Sequence, residues 1–177
     1  VAGVAPSAIC YAITSHGKPH PTHPAATAAW HVSLSHTETM TGVALCRLAE
    51  VGFDVQLVQG NRDLLGVAKR VFVDSELACL NAAGDHAESP WIRHFYTLWV
   101  AKEAWLKARG EGLSRSPKHV TLAVAGGDVR ITDFAPELAD EPAAWTIETW
   151  WPSPTVVAAV AARTDKASLS LTVRTVT

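Results

Sequence analysis

Basic residues, cysteines and long apolar runs are all scarce in this chain of 177 residues. The formal net charge of −2 excludes a broad basic surface as the basis of nucleic-acid binding, although it does not exclude a locally basic groove. The three cysteines, Cys10, Cys46 and Cys79, form no CxxC pair and cannot all pair off. We therefore expect no disulfide framework, and a reducing compartment such as the cytoplasm.

No apolar run approaches the roughly 18 residues that cross a bilayer, and the run at 156–162 is short enough to be a buried strand. The first residues lack both an initiator Met and the basic region of a secretory signal. We expect that the chain was processed, cut or numbered from an internal point. With 48% hydrophobic and 18% charged residues, it should fold as one domain or as two small halves that share a core.

The first half of the chain predicts short strands followed by helices. The predicted elements are a His-, Pro- and Thr-rich loop at 17–27, strands at 32–34, 41–48 and 51–57, a helix at 64–72, and a short helix that begins at Glu76 and is capped by Ser75.

A long helix is predicted over 89–110, with Ser89 as N-cap, Pro90 at the first helical position and Gly110 as a left-handed cap. Strands are predicted at 120–124, 129–134, 144–150, 155–162 and 169–173. Helices early and strands late indicate an α+β domain with an antiparallel sheet. The tryptophans Trp145, Trp150 and Trp151 are interpreted as core packing rather than a ligand cage.

Glu103 and Lys107 lie four residues apart on the long helix and are therefore neighbours on one helical face. They form either a surface ion pair worth about 0.2–0.5 kcal/mol or a carboxylate beside a cation that meets a phosphate. Asp54 lies within an apolar strand, where an unpaired carboxylate is costly. It pairs with an arginine, reaches solvent at the strand end, or binds a metal. If Asp54 meets Glu103, the two carboxylates need a cation between them, and Mg²⁺ suits such oxygen ligands.

Several motifs occur in one order along the chain. They are Gly17-Lys18-Pro19, Ser33-Leu34-Ser35-His36-Thr37, Val51-Gly52-Phe53-Asp54, the run 68–72 followed by Ser75-Glu76, the segment Trp99-x-x-Lys102-Glu103-Ala104-x-x-Lys107, and Gly110-Glu111-Gly112-Leu113. Together they resemble the 4′-phosphopantetheinyl transferases, specifically the surfactin-type branch with the W/KEA motif. The likeness spans roughly residues 15 to 113.

This resemblance implies roles for individual side chains. Asp54 and Glu103 would hold Mg²⁺ (or Mn²⁺) against the pyrophosphate of coenzyme A, and Lys107 would neutralise charge on the transferring phosphoryl group. The remaining implied roles are nucleotide-phosphate contacts from Ser35, His36 and Lys18, a weaker phosphate contact from Lys102, and Glu76 as the base, direct or through water, for the carrier serine. Positioning and charge neutralisation are what attack on a pyrophosphate requires.

Two departures from the family pattern bear on these roles. Gln56 replaces the third acidic residue, so it can fill a metal position, directly or through water, but brings no charge, and metal affinity should fall. The segment that precedes the Gly-Lys-Pro motif is much shorter than in the family. Either it was removed, or the first half of this member is incomplete.

The resemblance implies an α+β fold of two similar subdomains with pseudo-twofold symmetry, 1–50 (shortened) and 51–177. It further implies a bacterial, monomeric, cytoplasmic enzyme of polyketide, non-ribosomal peptide or fatty-acid metabolism. Such an enzyme transfers 4′-phosphopantetheine from coenzyme A to a serine of an acyl or peptidyl carrier protein. The alternatives are a catalytically weak coenzyme A- or carrier-binding protein of the same fold, and an unrelated α+β protein. Neither nucleic acid nor membrane is expected as a partner.

Overall fold

The computed structural model describes residues 3–59, 63–85, 89–111, 115–164 and 170–174. The strands are β1 (Cys10–Ile13), β2 (Pro19–His23), β3 (His31–His36), β4 (Thr41–Cys46), β5 (Val51–Leu57), β6 (Val120–Ala125), β7 (Asp128–Phe134), β8 (Trp145–Ser153) and β9 (Val156–Arg163). The helices are α1 (Ala25–Ala28), α2 (Leu64–Val71), α3 (Asp74–Ala82) and α4 (Ser89–Arg109).

All the strand pairs in the described residues are antiparallel. Three of the sheets are hairpins, β1–β2, β3–β4 and β6–β7, and the fourth has the order β5–β9–β8. This arrangement confirms the predicted α+β class with antiparallel sheets. The pseudo-twofold relation between two subdomains and their boundary near residue 50 stay predictions.

The long helix α4 is the centre of the larger core. Its aromatic and aliphatic side chains, among them Trp91, Leu98 and Trp105, are almost fully buried against the other helices and the sheets. A second, smaller cluster lies on the other side of β5, where Phe53 and Val55 pack with residues of β9. Strand β5 is therefore covered on both faces, which is why its apolar run is nearly continuous.

Gly52 allows β5 to lie directly against α4. A Cβ atom at this position would come within 1.9 Å of the carbonyl oxygen of Ala104 and 2.2 Å of the amide nitrogen of Ala108. Glycine removes that overlap, so the two backbones approach more closely than any larger residue permits. This contact sets the position of all the remaining side chains on the same face of β5.

Most predicted elements agree with the structure, with shifts at the ends. Strand β5 has the predicted bounds, but α4 begins at Ser89 itself rather than after it, and α3 begins at Asp74 with Val73 as its N-cap. Residues Gly112 and Leu113 of the predicted motif lie outside the described residues.

Two expectations were wrong. The segment 17–27 is not a loop, because β2 pairs with β1 and α1 follows it. Prolines are tolerated there because a two-stranded hairpin has free edges, where a missing N–H breaks no pairing. The predicted strand at 169–173 is absent over its described residues 170–173. None of the described helices combines the length and the apolar character needed to cross a membrane.

Candidate active site

Alternation along β5 directs Asp54 toward α4. Side chains two residues apart lie on one face of a strand, so Gly52, Asp54 and Gln56 share a face while Phe53 and Val55 share the other. Because Gly52 lies against the backbone of α4, the carboxylate of Asp54 points toward the last turns of that helix. Asp54 is 2% exposed.

Three side chains donate hydrogen bonds to the buried carboxylate of Asp54. The hydroxyl of Ser35 donates to Oδ1 over 2.8 Å, and Nζ of Lys107 lies 2.6 Å from the same oxygen. The amide nitrogen of Gln56 donates to Oδ2 over 2.8 Å. The carboxylate is thus held by one charged and two neutral donors, which is the compensation that a buried charge requires.

Glu103 lies one helical turn before Lys107 and belongs to the same cluster. Burial and the negative charge of Asp54 raise the pKa of Glu103 to about 7, and the charge of Lys107 opposes this rise. Lys107, one turn further along α4, contacts Asp54 directly, so Glu103 lies on the part of the helix that faces this carboxylate. The structure therefore brings together the strand aspartate and the helix glutamate, 49 positions apart in the numbering.

The donor set fits a magnesium ion. Asp54 and Glu103 supply hard carboxylate oxygens, and their mutual repulsion would be relieved by a cation. Magnesium commonly takes one or two carboxylates from a protein and fills its other positions with water and substrate phosphates. Over the described ranges, no group of three or more His, Cys, Asp or Glu residues is placed to hold a metal. The fit is therefore to a site with two carboxylates.

Lys18 lies near this cluster, but its charge is already paired. Its ammonium group contacts the carboxylate of Glu50 and donates to the carbonyl oxygen of Ala108 over 2.8 Å. His31 Nδ1 lies 3.0 Å from the other oxygen of Glu50. Burial acts to raise the pKa of Glu50, but Lys18 and His31 outweigh it and lower this pKa. Lys18 therefore joins β2 to the end of α4, and a phosphate would have to compete with Glu50 for it.

The structure separates His36 from Ser35, its neighbour in the predicted phosphate-binding segment. Side chains alternate along β3, so Ser35 points toward Asp54 whereas His36 is exposed on the other face with Leu34. Ser35 is buried and already donates to Asp54. Ser35 therefore acts on the site through Asp54, and His36 lies on the exposed face of β3, outside this cluster. The phosphate contacts predicted for the two residues stay predictions.

Glu76 and Lys102 form a separate, fully enclosed ion pair. Nζ of Lys102 lies 2.8 Å from Oε2 of Glu76, and neither side chain has exposed area. Lys102 also donates to the carbonyl oxygens of Pro117 and Val120. Burial lowers the pKa of Lys102, and the charge of Glu76 opposes that shift.

The carboxylate of Glu76 is also bound by two backbone amides. Its Oε1 accepts from the amide of Leu122 over 2.7 Å, and its Oε2 accepts from the amide of Val73 over 2.9 Å. The pair joins α3, α4 and β6. The predictions of Glu76 as a base and of Lys102 as a phosphate contact therefore disagree with the structure, because neither group is accessible.

Sequence reasoning missed the structural role of the serines of β3. Ser33 accepts a hydrogen bond from the amide of Phe53 over 2.9 Å, and Ser35 donates to Asp54. The signal was present, because the two polar residues alternate with Val32 and Leu34 and so share one face. The pairing of Glu50 with Lys18 had no comparable signal.

Comparison with known proteins shows which family this chain resembles. Residues 50–160 match the family model described as the 4′-phosphopantetheinyl transferase superfamily. The chain is 27% identical over 159 residues to the 4′-phosphopantetheinyl transferase HetI of Nostoc sp., which covers 90% of this chain and 62% of that protein. It is 28% identical over 113 residues to a 4′-phosphopantetheinyl transferase of Bacillus subtilis, which covers 63% of this chain and 46% of that one.

A solved structure shows the same fold. It is the holo-(acyl-carrier-protein) synthase of Bacillus anthracis in complex with CoA (3′,5′-ADP), with a TM-score of 0.50 and 15% identity. The match covers 64% of this chain and 93% of that one. The chain spans less than two thirds of the length of the two transferases named above.

Proposed function

The chain belongs to the 4′-phosphopantetheinyl transferase superfamily, and we propose that it transfers 4′-phosphopantetheine from coenzyme A to a serine of an acyl or peptidyl carrier protein. The observation that carries this proposal is the convergence of Asp54, Glu103 and Lys107. Two carboxylates that can hold a metal ion, together with a lysine, suit the cleavage of a pyrophosphate bond, because this reaction depends on positioning and charge neutralisation.

In the proposed reaction, the serine oxygen bonds to the phosphorus that carries pantetheine. The bond from that phosphorus to the bridging oxygen breaks, and adenosine 3′,5′-bisphosphate leaves. Lys107 is suited to neutralise the charge that develops, because a third of its side chain is exposed while its ammonium group is already oriented by Asp54. Asp54 itself is held by Ser35 and Gln56 and does not have to move.

Asp54 and Glu103 would hold the magnesium ion of this site. When bound, the ion would supply Lewis-acid stabilisation of the pyrophosphate oxygens. Gln56 points its amide nitrogen at Asp54, so we expect it to orient that carboxylate rather than to contribute a charged ligand.

The serine proton must leave as the new bond forms. Glu76 is enclosed, so it cannot accept this proton. Glu103 has two carboxylate oxygens, so one can hold the magnesium ion while the other accepts this proton, directly or through a water molecule, and we assign it both roles.

The finer assignment to the surfactin-type branch is also a proposal. It is supported by Trp99, Lys102 and Glu103, which stand in the W/KEA order on one helix. We further propose a cytoplasmic, monomeric bacterial enzyme of polyketide, non-ribosomal peptide or fatty-acid metabolism, built from subdomains 1–50 and 51–177. The three cysteines are free, which agrees with a reducing compartment.

Mass spectrometry of a carrier protein tests the activity. An apo carrier incubated with this chain, coenzyme A and Mg²⁺ should gain the mass of one phosphopantetheine, and Asp54→Asn and Glu103→Gln should each abolish the gain. Glu148→Gln is the matched control, because it removes one carboxylate from an exposed position of β8. A gain that survives both substitutions in the cluster would refute the assignment of the site.

A coenzyme A- or carrier-binding protein without turnover is the second candidate. It is favoured by Gln56, which leaves the cluster with one negative charge fewer than the family pattern. Calorimetric titration with coenzyme A in the presence of Mg²⁺ separates the candidates when it is combined with the mass measurement. Binding that depends on Asp54, without any mass gain across several apo carriers, would favour the binder.

A further inference from the structure

A concavity of about 530 Å³ lies at the beginning of α4, and it involves none of the residues of the candidate active site. It is formed by the first turns of α4, the β6–β7 hairpin and β8. The side chains that matter for its chemistry are those of Ser89, Arg93, His94, Thr97, Thr149 and Trp151. It is an open depression with largely apolar walls.

Arg93 is held in place over a tryptophan. Its guanidinium carbon lies 3.8 Å from the centroid of the Trp151 ring, which is a close cation–π contact. Within the part of the chain that the structure describes, this guanidinium has neither a carboxylate partner nor a hydrogen-bond acceptor. A planar fork of N–H donors is therefore oriented by stacking and left free to bind an anion.

Thr97 adds a hydroxyl group to the lining of the same concavity. The residue is 9% exposed and lines the concavity, and no hydrogen bond of its hydroxyl is found among the described residues. Among the described residues, the buried side-chain polar atoms without a partner are Trp105 Nε1 and His119 Nδ1, so the Thr97 hydroxyl reaches the solvent of the concavity. It is therefore available to donate to a ligand or accept from one.

The described lining of the concavity carries positive and neutral polar groups. Ser89 and Pro90 place the positive end of the 21-residue helix α4 at the rim. No Asp or Glu occurs among the described residues that line the concavity. His94 also lines it, and burial lowers the pKa of this imidazole, so at neutral pH it offers a hydrogen bond rather than a charge.

We propose that this cavity binds a small organic anion, in which one carboxylate or phosphate head meets Arg93 and Thr97 and an apolar body lies against Trp151 and Val124. This assigns Trp151 a ligand contact in addition to the core packing predicted from the sequence. Carboxylate and phosphate groups both accept a pair of parallel hydrogen bonds from an arginine side chain.

Nuclear magnetic resonance of the ¹⁵N-labelled chain tests this proposal, with phenyl phosphate and benzoate as probes. At least one probe should cause saturable shifts of the Trp151 indole N–H and of the Thr97 and Thr149 amides, and the stronger probe identifies the head group. Inorganic phosphate lacks the apolar body and benzyl alcohol lacks the charge, so both should bind at least about tenfold more weakly.

Arg93→Gln should lower the affinity for the stronger probe at least about tenfold, because it removes the charge and the fork. Arg47→Gln is the matched control, since Arg47 lies 5.6 Å above the ring of Trp30, and neither residue lines this cavity. Thr97→Val should weaken binding severalfold without lowering the free energy of unfolding, because no hydrogen bond within the protein is lost. The proposal is overturned if neither probe gives saturable shifts at these residues, or if Arg93→Gln and Arg47→Gln bind equally well.

Discussion

The ammonium group of Lys107 lies 2.6 Å from Oδ1 of Asp54, although 53 positions separate the two residues in the sequence. The aspartate side chain is 3% exposed and that of the lysine 32% exposed. Lys107 therefore reaches from the solvent side to a buried charge that would otherwise depend on two neutral donors. A single lysine thus serves both the stability of the folded site and its contact with an anionic substrate.

Replacing Lys107 by methionine should lower the free energy of unfolding by about 1–3 kcal/mol when metal is removed with EDTA. This is less than for a fully enclosed pair, because solvent screens the exposed third of the lysine. Phosphopantetheine transfer should fall by about 100-fold or more, since charge neutralisation is lost. Urea unfolding and the carrier mass assay measure the two effects. Lys69→Met, at an exposed position of α2, is the control, and similar losses in both variants would contradict the prediction.

Changing Gln56 to glutamate should strengthen magnesium binding roughly tenfold or more, because it adds a carboxylate beside Asp54. The same change removes the hydrogen bond that the amide donates, so the metal-free protein should become less stable. Isothermal titration with Mg²⁺ gives the affinity. Gln59→Glu, which makes the same charge change beyond the end of β5, should leave it unchanged, and equal gains in the two variants would count against a specific effect.

The convergence of Asp54 and Glu103 could be predicted from the sequence because each signal was local. An acid in an apolar strand and a Glu–Lys pair on a helical face each restrict the environment of the side chain. The resemblance to the family then predicted that Asp54 and Glu103 belong to one metal site. Gly52 explains the convergence physically, and its role is seen only where β5 meets α4.

The burial of Lys102 was missed although the helical spacing indicated it. Lys102 lies four residues after Leu98 and four before Leu106, so it belongs to the apolar stripe of α4. Its partner Glu76 could not be found in this way, because the pair joins two helices whose packing depends on contacts distant in sequence. The charges of Glu76 and Lys102 suggested roles in the reaction, whereas their burial indicates that they stabilise the fold.

For the enclosed pair of Glu76 and Lys102, we expect effects opposite to those that the loss of a catalytic base would have. Glu76→Gln should lower the free energy of unfolding by about 3–5 kcal/mol, because it leaves Lys102 buried without its counter-charge. Transfer per folded molecule should stay within a fewfold of the original rate. The double variant with Lys102→Met should be more stable than the sum of the two single losses implies. A 100-fold loss of transfer at unchanged stability would instead restore Glu76 as the base.

The stability of the metal-free protein should depend on pH through Glu103. Its pKa is raised from 4.5 to about 7 in the folded protein. Between these values the folded protein keeps the proton while the unfolded chain has released it. The free energy of unfolding should therefore fall as pH rises through this window and level off above it. The total fall attributable to this group is on the order of 3 kcal/mol or less.

Urea unfolding in EDTA from pH 4 to pH 8 measures this dependence as the difference between the original chain and Glu103→Gln. As pH rises, the free energy of unfolding of the original chain should fall relative to that of the glutamine variant. Saturating Mg²⁺ at pH 8 should stabilise the original chain much more than the variant. Parallel pH profiles for the two proteins would show that Glu103 keeps an ordinary pKa.

The close contact between β5 and α4 gives the most direct structural test. Gly52→Ala places a methyl group where the backbone atoms of Ala104 and Ala108 now lie, so β5 must move away from the helix. We expect a loss of roughly 2 kcal/mol or more in the free energy of unfolding, as for other overpacked core positions. Magnesium affinity should fall as well, because Asp54 shares the displaced face of the strand. Gly66→Ala is the control, since its methyl group would meet the side chain of Asp63, the N-cap of α2, and so would weaken a helix cap without touching the contact of β5 with α4. Its magnesium affinity should stay unchanged. If Gly52→Ala were as stable as Gly66→Ala and bound magnesium as the original chain does, the backbone contact would not be what positions Asp54 at the site.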